Sequence, residues 1–243
     1  MKKFIVLIID SDAEPIYSLG REIWRNSARK YNFEIYFLRS EKNYSNDSIV
    51  VDGDTIYCRW IENFSERLIY KTLKGFEYCL QNSRCKYVLR TNLSSFFNIP
   101  LFQVYCESAP ETSLYAGPLE SYPLTLPNGV SGTLLFCSGS GYLLSRDLVE
   151  LTLQRSGDIS RSLLDDVWLG TTLMDINRKR WVRCDLTNIN NNEEHTAKSI
   201  FNEIKISAQQ NIFHFRINNS KKSLPREILD KVGWEALQNY FIN

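Results

Sequence analysis

Six consecutive apolar residues, Phe4 to Ile9, run without a break into Asp10-Ser11-Asp12. A strand that is apolar on both faces belongs inside a parallel sheet covered on both sides, and its carboxyl end opens where such sheets put their ligands. Pro15 fits the first turn of a helix, and Ile16, Leu19, Ile23 and Trp24 recur at helical spacing as far as Lys30. Phe33 to Leu38 is then a second strand. The three segments make a βαβ unit, which commits the chain to a layered α/β architecture with a central sheet and helices on both faces.

The rest of the chain can be laid onto that frame. Ile49-Val50-Val51 and Thr55-Ile56-Tyr57 flank Asp52-Gly53-Asp54, which is a turn signal before it is a metal-binding pair. From Ser65 to Leu80, Leu68, Ile69, Thr72, Leu73, Phe76 and Leu80 fall on one face of a helix. Lys86 to Thr91 is a strand leading into Asn92-Leu93-Ser94, with Pro100 closing the turn that follows. Residues 117–133, carrying Pro118, Pro123, Pro127, Asn128, Gly129 and Gly132, read as a loop-rich insertion of a length that is uncommon without a function. Thr133 to Phe136 is a short strand feeding Cys137-Ser138-Gly139-Ser140-Gly141, a small-residue segment expected to turn into an apolar helix at Tyr142. Val167 to Met174 is a helix headed by Asp165 and Asp166, and Trp181 to Cys184 is a strand. Asn188 to Glu194 is a polar loop, Ile212 to Ile217 a strand, and Leu224 to Phe241 a helix with Pro225 near its start.

Charge and cysteines exclude several classes. Lys and Arg number 29 against 28 Asp and Glu, so no global field draws the protein to nucleic acid, and any phosphate must be held by a local site. The apolar run after Met1-Lys2-Lys3 is shorter than the roughly 7–15 residues of a secretory core or the about 20 of a membrane span. A cytoplasmic protein without a transmembrane segment is the expectation, and the Asn-, Ile- and Lys-rich usage fits an AT-rich bacterial or viral genome. Six scattered cysteines (58, 79, 85, 106, 137, 184) form no CxxC pair and read as reduced core thiols.

Three stretches resemble, in order and spacing, the inverting β-1,3-galactosyltransferase and N-acetylglucosaminyltransferase family with its Fringe-like members. The first runs from Asp52-Gly53-Asp54 through Tyr70-Lys71-Thr72-Leu73-Lys74-Gly75. The second, Lys86-Tyr87-Val88-Leu89-Arg90-Thr91-Asn92-Leu93-Ser94-Ser95-Phe96-Phe97-Asn98, is similar to the family's Lys-Thr-Asp-x-Asp-x-Phe-x-Asn. The third pairs Cys137-Ser138-Gly139-Ser140-Gly141-Tyr142-Leu143-Leu144-Ser145-Arg146-Asp147 with Leu164-Asp165-Asp166-Val167-Trp168-Leu169-Gly170. The resemblance implies a single GT-A-like domain over 1–243, with a nucleotide-binding half at 1–115 and an acceptor and catalytic half at 116–243. The implied reaction moves a sugar from a nucleotide-sugar, expected to be UDP-linked, to a hydroxyl of a glycan acceptor with inversion. A catalytically degenerate protein that binds a sugar nucleotide or glycan as an accessory subunit is the competing expectation.

The resemblance assigns the catalytic base to the acidic pair. Asp166 is favoured as the base with Asp165 as the helix cap, an order the sequence leaves reversible. The family's DxD carboxylates, which hold a divalent cation against the diphosphate, are here Asn92 and Ser94. A manganese or magnesium ion would then be held weakly, by Asn92, Ser94 and His214 if at all. The counter-charge is expected from Arg90, His214 and Arg216, with Lys221 and Lys222 following; His214 is otherwise a core histidine. His214 and Arg216 are two apart on a strand and share a face. Gly139, Ser140 and Gly141 bring backbone close to the sugar or simply make a tight turn. Asp10 and Asp12 contact the base or ribose, or else polarise a strand-to-helix turn. Trp60 and Trp181 flank the acceptor, and Trp168 is core.

Overall fold

The computed structural model describes residues 4–11, 17–40, 49–58, 66–125, 131–158, 163–187, 192–218 and 224–243. Asp12, Pro15, Trp60, Lys221 and Lys222 lie outside them. Strand β1 (Phe4–Ile9), helix α1 (Tyr17–Tyr31) and strand β2 (Glu34–Ser40) form the expected βαβ unit, with β1 and β2 parallel and Ile5 opposite Glu34. Strands β3 (Val50–Asp52) and β4 (Thr55–Cys58) make an antiparallel hairpin, and Gly53 at its turn has φ +57°, the left-handed region that favours glycine. Asp52-Gly53-Asp54 is therefore a turn, and Asp54 is held by Arg25 at 2.7 Å.

Helix α2 (Glu66–Asn82) leads to β5 (Tyr87–Asn92), which lies parallel to β1 with Ile9 opposite Asn92. After β6 (Ser95–Phe97), α3 (Ile99–Ser108), β7 (Tyr115–Gly117), β8 (Leu119–Thr125) and β9 (Ser131–Cys137) comes β10 (Gly141–Ser145). The chain continues through α4 (Arg146–Gln154), α5 (Asp165–Thr172), β11 (Arg178–Arg180), β12 (Arg183–Thr187), α6 (Glu193–Gln209), β13 (His214–Asn218) and α7 (Arg226–Phe241). One eight-stranded mixed sheet has the order β11-β7-β10-β5-β1-β2-β4-β3, so it draws strands from both sides of residue 115. A three-stranded sheet, β12-β13-β6, and the hairpin β8-β9 stand beside it.

Alternation along the strands explains the layers. Ile5 and Leu7 pack with Ile69, Leu73 and Phe76 of α2, Leu148 and Val149 of α4 and Leu169 of α5. Phe4, Val6 and Ile8 face the other way, with Ile23 and Trp24 of α1, Phe102 of α3 and Trp234 of α7. Trp24 is fully buried and donates its indole N–H to the Ser95 carbonyl at 3.1 Å, which ties α1 to the small sheet. All six cysteines are buried thiols, as core residues would be. Among the described residues no helix is long and apolar enough to cross a membrane.

Five expectations change. Tyr142 to Ser145 is strand, not helix: all of β10 is buried between β5 and β7, and a short run apolar on both faces reads the same for either element. Helix α4 begins only at Arg146. Pro100 opens α3 instead of closing a turn, because proline's missing N–H costs nothing in a helix's first turn. Most of 117–133 is the ordered hairpin β8-β9, with Pro123 opposite Thr133. Of the strand expected over Trp181 to Cys184, only Arg183 and Cys184 are strand, at the start of β12; Trp181 and Val182 link it to β11, which belongs to the other sheet. In the expected polar loop Asn188 to Glu194, the Asn192 side chain caps α6, accepting from the His195 N–H at 3.0 Å.

Candidate active site

Strands β1 and β5 end side by side, and the segment Ser138-Gly139-Ser140 lies against the carboxyl end of β5 before β10 turns back antiparallel, with Gly141 opposite Thr91. Three side chains of β5 fix that crossing. Arg90 Nη1 donates to the Gly139 carbonyl at 2.5 Å, Asn92 Nδ2 to the same oxygen at 3.2 Å, and Thr91 Oγ1 to the Ser140 carbonyl at 2.7 Å. The Gly139 N–H donates in the opposite direction, to Asp166 Oδ2 at 2.6 Å. A Cβ at Gly139 would lie 3.0 Å from that oxygen and 3.1 Å from Arg90 Nη1, so glycine is what lets the two side chains close on the peptide.

The two acidic residues have different surroundings. Asp165 is buried and ion-paired with Arg90, whose side chain is only 3% exposed. It is not the helix cap: Leu164 occupies that position, and both carboxylates sit in the first turn of α5, where the helix dipole favours negative charge. Asp166 is partly exposed. Burial and the Asp165 charge beside it push its carboxyl above the usual carboxylate range, against the Gly139 N–H and Arg90, which favour ionisation.

On the other side of Ser138-Gly139-Ser140 stands a basic group. Arg183 of β12 donates through Nη1 to Ser140 Oγ at 2.6 Å and Ser138 Oγ at 3.2 Å, and through Nε and Nη2 to Asp185 at 2.7 and 3.1 Å. Arg226 of α7 donates to Ser94 Oγ at 2.7 Å and to Asp230 at 2.6 Å. Arg216 of β13 lies in register with Asp185 on one side and Ser95 on the other. Its guanidinium has no hydrogen bond or ion pair among the described residues, and its Nε is buried without a partner. Neither Arg183 nor Arg226 is singled out by the sequence. Each lies far from the other motifs in the chain, and only the packing of the small sheet brings them together.

Several expected roles do not survive this geometry. Arg90 is engaged by Asp165 and Gly139 beneath the site, so it offers no charge to a diphosphate. His214 is fully buried, stacked on Phe97 at 4.3 Å, and its Nδ1 accepts from Trp181 Nε1 at 3.1 Å. Burial, with Arg183 and Arg216 adding to it, holds its pKa well below the usual imidazole value, so it is a neutral core histidine. Trp181 is buried among Phe97, Phe102, Tyr105 and Phe213 and does not face an acceptor. Trp168 is core as expected. Asp10 is buried against Arg21 at 2.7 Å and Arg39 at 3.7 Å, while its carbonyl accepts from Lys71 at 2.8 Å, so it braces the end of β1 instead of reaching a ribose.

Gly141 is required by packing. A Cβ there would lie 2.7 Å from Phe97 Cζ and 3.0 Å from His214 Cε1, both in the core. Gly141→Ala is expected to lower stability by about 1–3 kcal/mol through overpacking, which thermal unfolding would read as a clear fall in Tm.

Asn92 and Ser94, at the positions of the resembled metal motif, do not fit a divalent cation. Asn92 Nδ2 is a donor already used, Asn92 Oδ1 accepts from Ser94 N at 3.0 Å and Ser95 Oγ at 3.3 Å, and Ser94 Oγ faces a guanidinium. Hard cations require carboxylate or free carbonyl oxygens. Among the described residues no three His, Cys, Asp or Glu side chains converge in a way that could hold a metal ion.

No protein-family model matches the sequence, and neither does any curated protein. Among solved structures the chain is similar to a glycosyltransferase involved in the glycosylation of the major capsid of PBCV-1. The TM-score is 0.52 at 9% identity, over 94% of this chain and 97% of that one. The catalytic domain of Drosophila β1,4-galactosyltransferase 7, in complex with xylobiose, aligns over 74% of this chain and 65% of that one at 12% identity with a TM-score of 0.41. At 9% identity the first similarity is one of fold: the chain is α/β, a GT-A-like mixed central sheet with helices on both faces.

Proposed function

We propose that the protein transfers a sugar from a nucleotide-sugar, UDP-linked in the first instance, to a hydroxyl of a glycan acceptor by inverting single displacement. The observation that carries this reading is Asp166. It is a partly exposed carboxylate at the carboxyl ends of the central strands, hydrogen-bonded to a loop peptide and raised in pKa by its surroundings. A group of that kind is suited to take a proton during bond formation. In the displacement the acceptor oxygen bonds to the anomeric carbon, and the bond from that carbon to the diphosphate oxygen breaks, leaving its electron pair on the phosphate. The acceptor proton passes to Asp166.

The fold shared with a glycosyltransferase supports the same reading, and the motif resemblance supports the inverting stereochemistry. The test is to incubate the protein with a panel of nucleotide-sugars and glycan acceptors, follow nucleoside diphosphate release, and read the product's anomeric configuration by proton NMR. Acceptor-dependent release with inversion is expected. Binding of a donor with no release, with or without acceptor, would overturn the reading in favour of an accessory binding protein.

A further inference from the structure

We infer that the guanidinium groups of Arg216, Arg183 and Arg226 hold the donor's diphosphate in the place that a divalent cation occupies in the resembled family. The inference rests on the glycosyl-transfer reading above. Its starting point is the mismatch at Asn92 and Ser94, whose polar atoms are engaged and include no carboxylate. The hydroxyl at the second of those positions accepts a hydrogen bond from Arg226, so a cationic side chain already sits where the metal motif would present an anion.

Arg216 is the element that calls for a ligand. A charged side chain taken out of water is costly unless it is paired. Arg183 is ion-paired with Asp185 and Glu120, and Arg226 with Asp230, but the partly buried Arg216 makes no hydrogen bond or close ion pair among the described residues and feels Asp185 and Glu120 only at longer range. Burial, and after it the like charge of Arg183, disfavours its protonated form and outweighs the attraction of Asp185 and Glu120, the opposite of what a close structural ion pair produces. A bound dianion would remove that penalty. Planar guanidinium forks match phosphate oxygens in pairs, which a point charge does not.

The position suits the chemistry as well. Ser138-Gly139-Ser140 carries Arg183 on its serine hydroxyls and Asp166 on its central N–H, so base and counter-charge are fixed to one short segment. As the anomeric bond breaks, negative charge grows on the departing diphosphate, and preorganised cations there lower the barrier without a metal.

The experiment measures binding of inorganic pyrophosphate and of UDP by isothermal titration calorimetry in EDTA, for the wild-type protein, Arg216→Met and Arg216→Lys. Wild type is expected to bind both. Arg216→Met should weaken both at least tenfold, and Arg216→Lys less. The unliganded Arg216→Met protein should melt a few degrees higher than wild type, since an unpaired cation has been removed; a merely structural arginine would lower the Tm. Equal affinity in Arg216→Met, binding of both anions only on adding Mn²⁺, or no binding of either would each overturn the clamp. Pyrophosphate binding through Arg216 without turnover of any nucleotide-sugar would keep the clamp and remove the transfer reading. Turnover that requires Mn²⁺ and ignores Arg216 would do the reverse.

Discussion

Asparagine in place of Asp166 is expected to cut transfer by about 10²–10⁴-fold, the usual contribution of a positioned general base, and to leave the fold standing. The amide is nearly isosteric, and its oxygen can still accept the Gly139 N–H that Asp166 accepts at 2.6 Å, while the Val167 N–H that Asp166 Oδ1 accepts at 2.9 Å lies in the first turn of α5 and turns to solvent. What it cannot do is take a proton. The raised pKa of Asp166 means that folding disfavours its ionised form. That contribution to stability is fully present below the unfolded carboxylate value of about 4 and is lost as pH rises through the folded value. At neutral pH Asp166→Asn should therefore be at least as stable as wild type, and any advantage should vanish as pH falls below about 4. Wild-type kcat/KM should fall on the acidic side with an apparent pKa above the ordinary carboxylate range. Near-normal transfer by Asp166→Asn, with donor binding unchanged, would remove Asp166 from the role of base.

The sequence showed the acidic pair more readily than its surroundings. The acidic pair, the small-residue segment and the first βαβ unit are local patterns, written in consecutive residues. The partition between Asp165 and Asp166 is not local: it depends on Arg90, which reaches α5 from the central sheet, and on Gly139, which no periodicity connects to either. His214 and Arg216 share a strand face, as alternation indicated, yet their fates differ. His214 lies against Phe97 and Trp181 in the core, and Arg216, one step further out, meets the open rim. The misread stretch at Tyr142 failed for another reason. A strand buried between two others needs no alternation of polarity, and a run as short as Tyr142-Leu143-Leu144 carries no period that separates strand from helix. Pro100 and Pro123 read as breakers in the sequence, although each sits where a missing N–H is tolerated, one in a helix's first turn and one in a two-stranded hairpin.

Arg90→Met and Asp165→Asn should move the site in opposite directions. Arg90 is 3% exposed and pairs with Asp165, which is 9% exposed, so removing the cation strands a carboxylate in the interior at a cost of about 3–5 kcal/mol. It also takes away an attraction that favours ionised Asp166, so the acidic limb of the rate profile should move to higher pH. Asp165→Asn removes the like charge that raises Asp166 and leaves Arg90 facing Asp166 alone, so the same limb should move to lower pH, again with a loss of stability. Restoring apolar packing with Arg90→Met and Asp165→Leu together should recover much of the stability, because an absent pair costs less than a broken one. Denaturant unfolding reads the first effect and kcat/KM against pH the second. Shifts of the same sign in the two single variants would mean that Asp166 does not titrate under the joint control of Arg90 and Asp165, and the rate profile would then have to be assigned to another group.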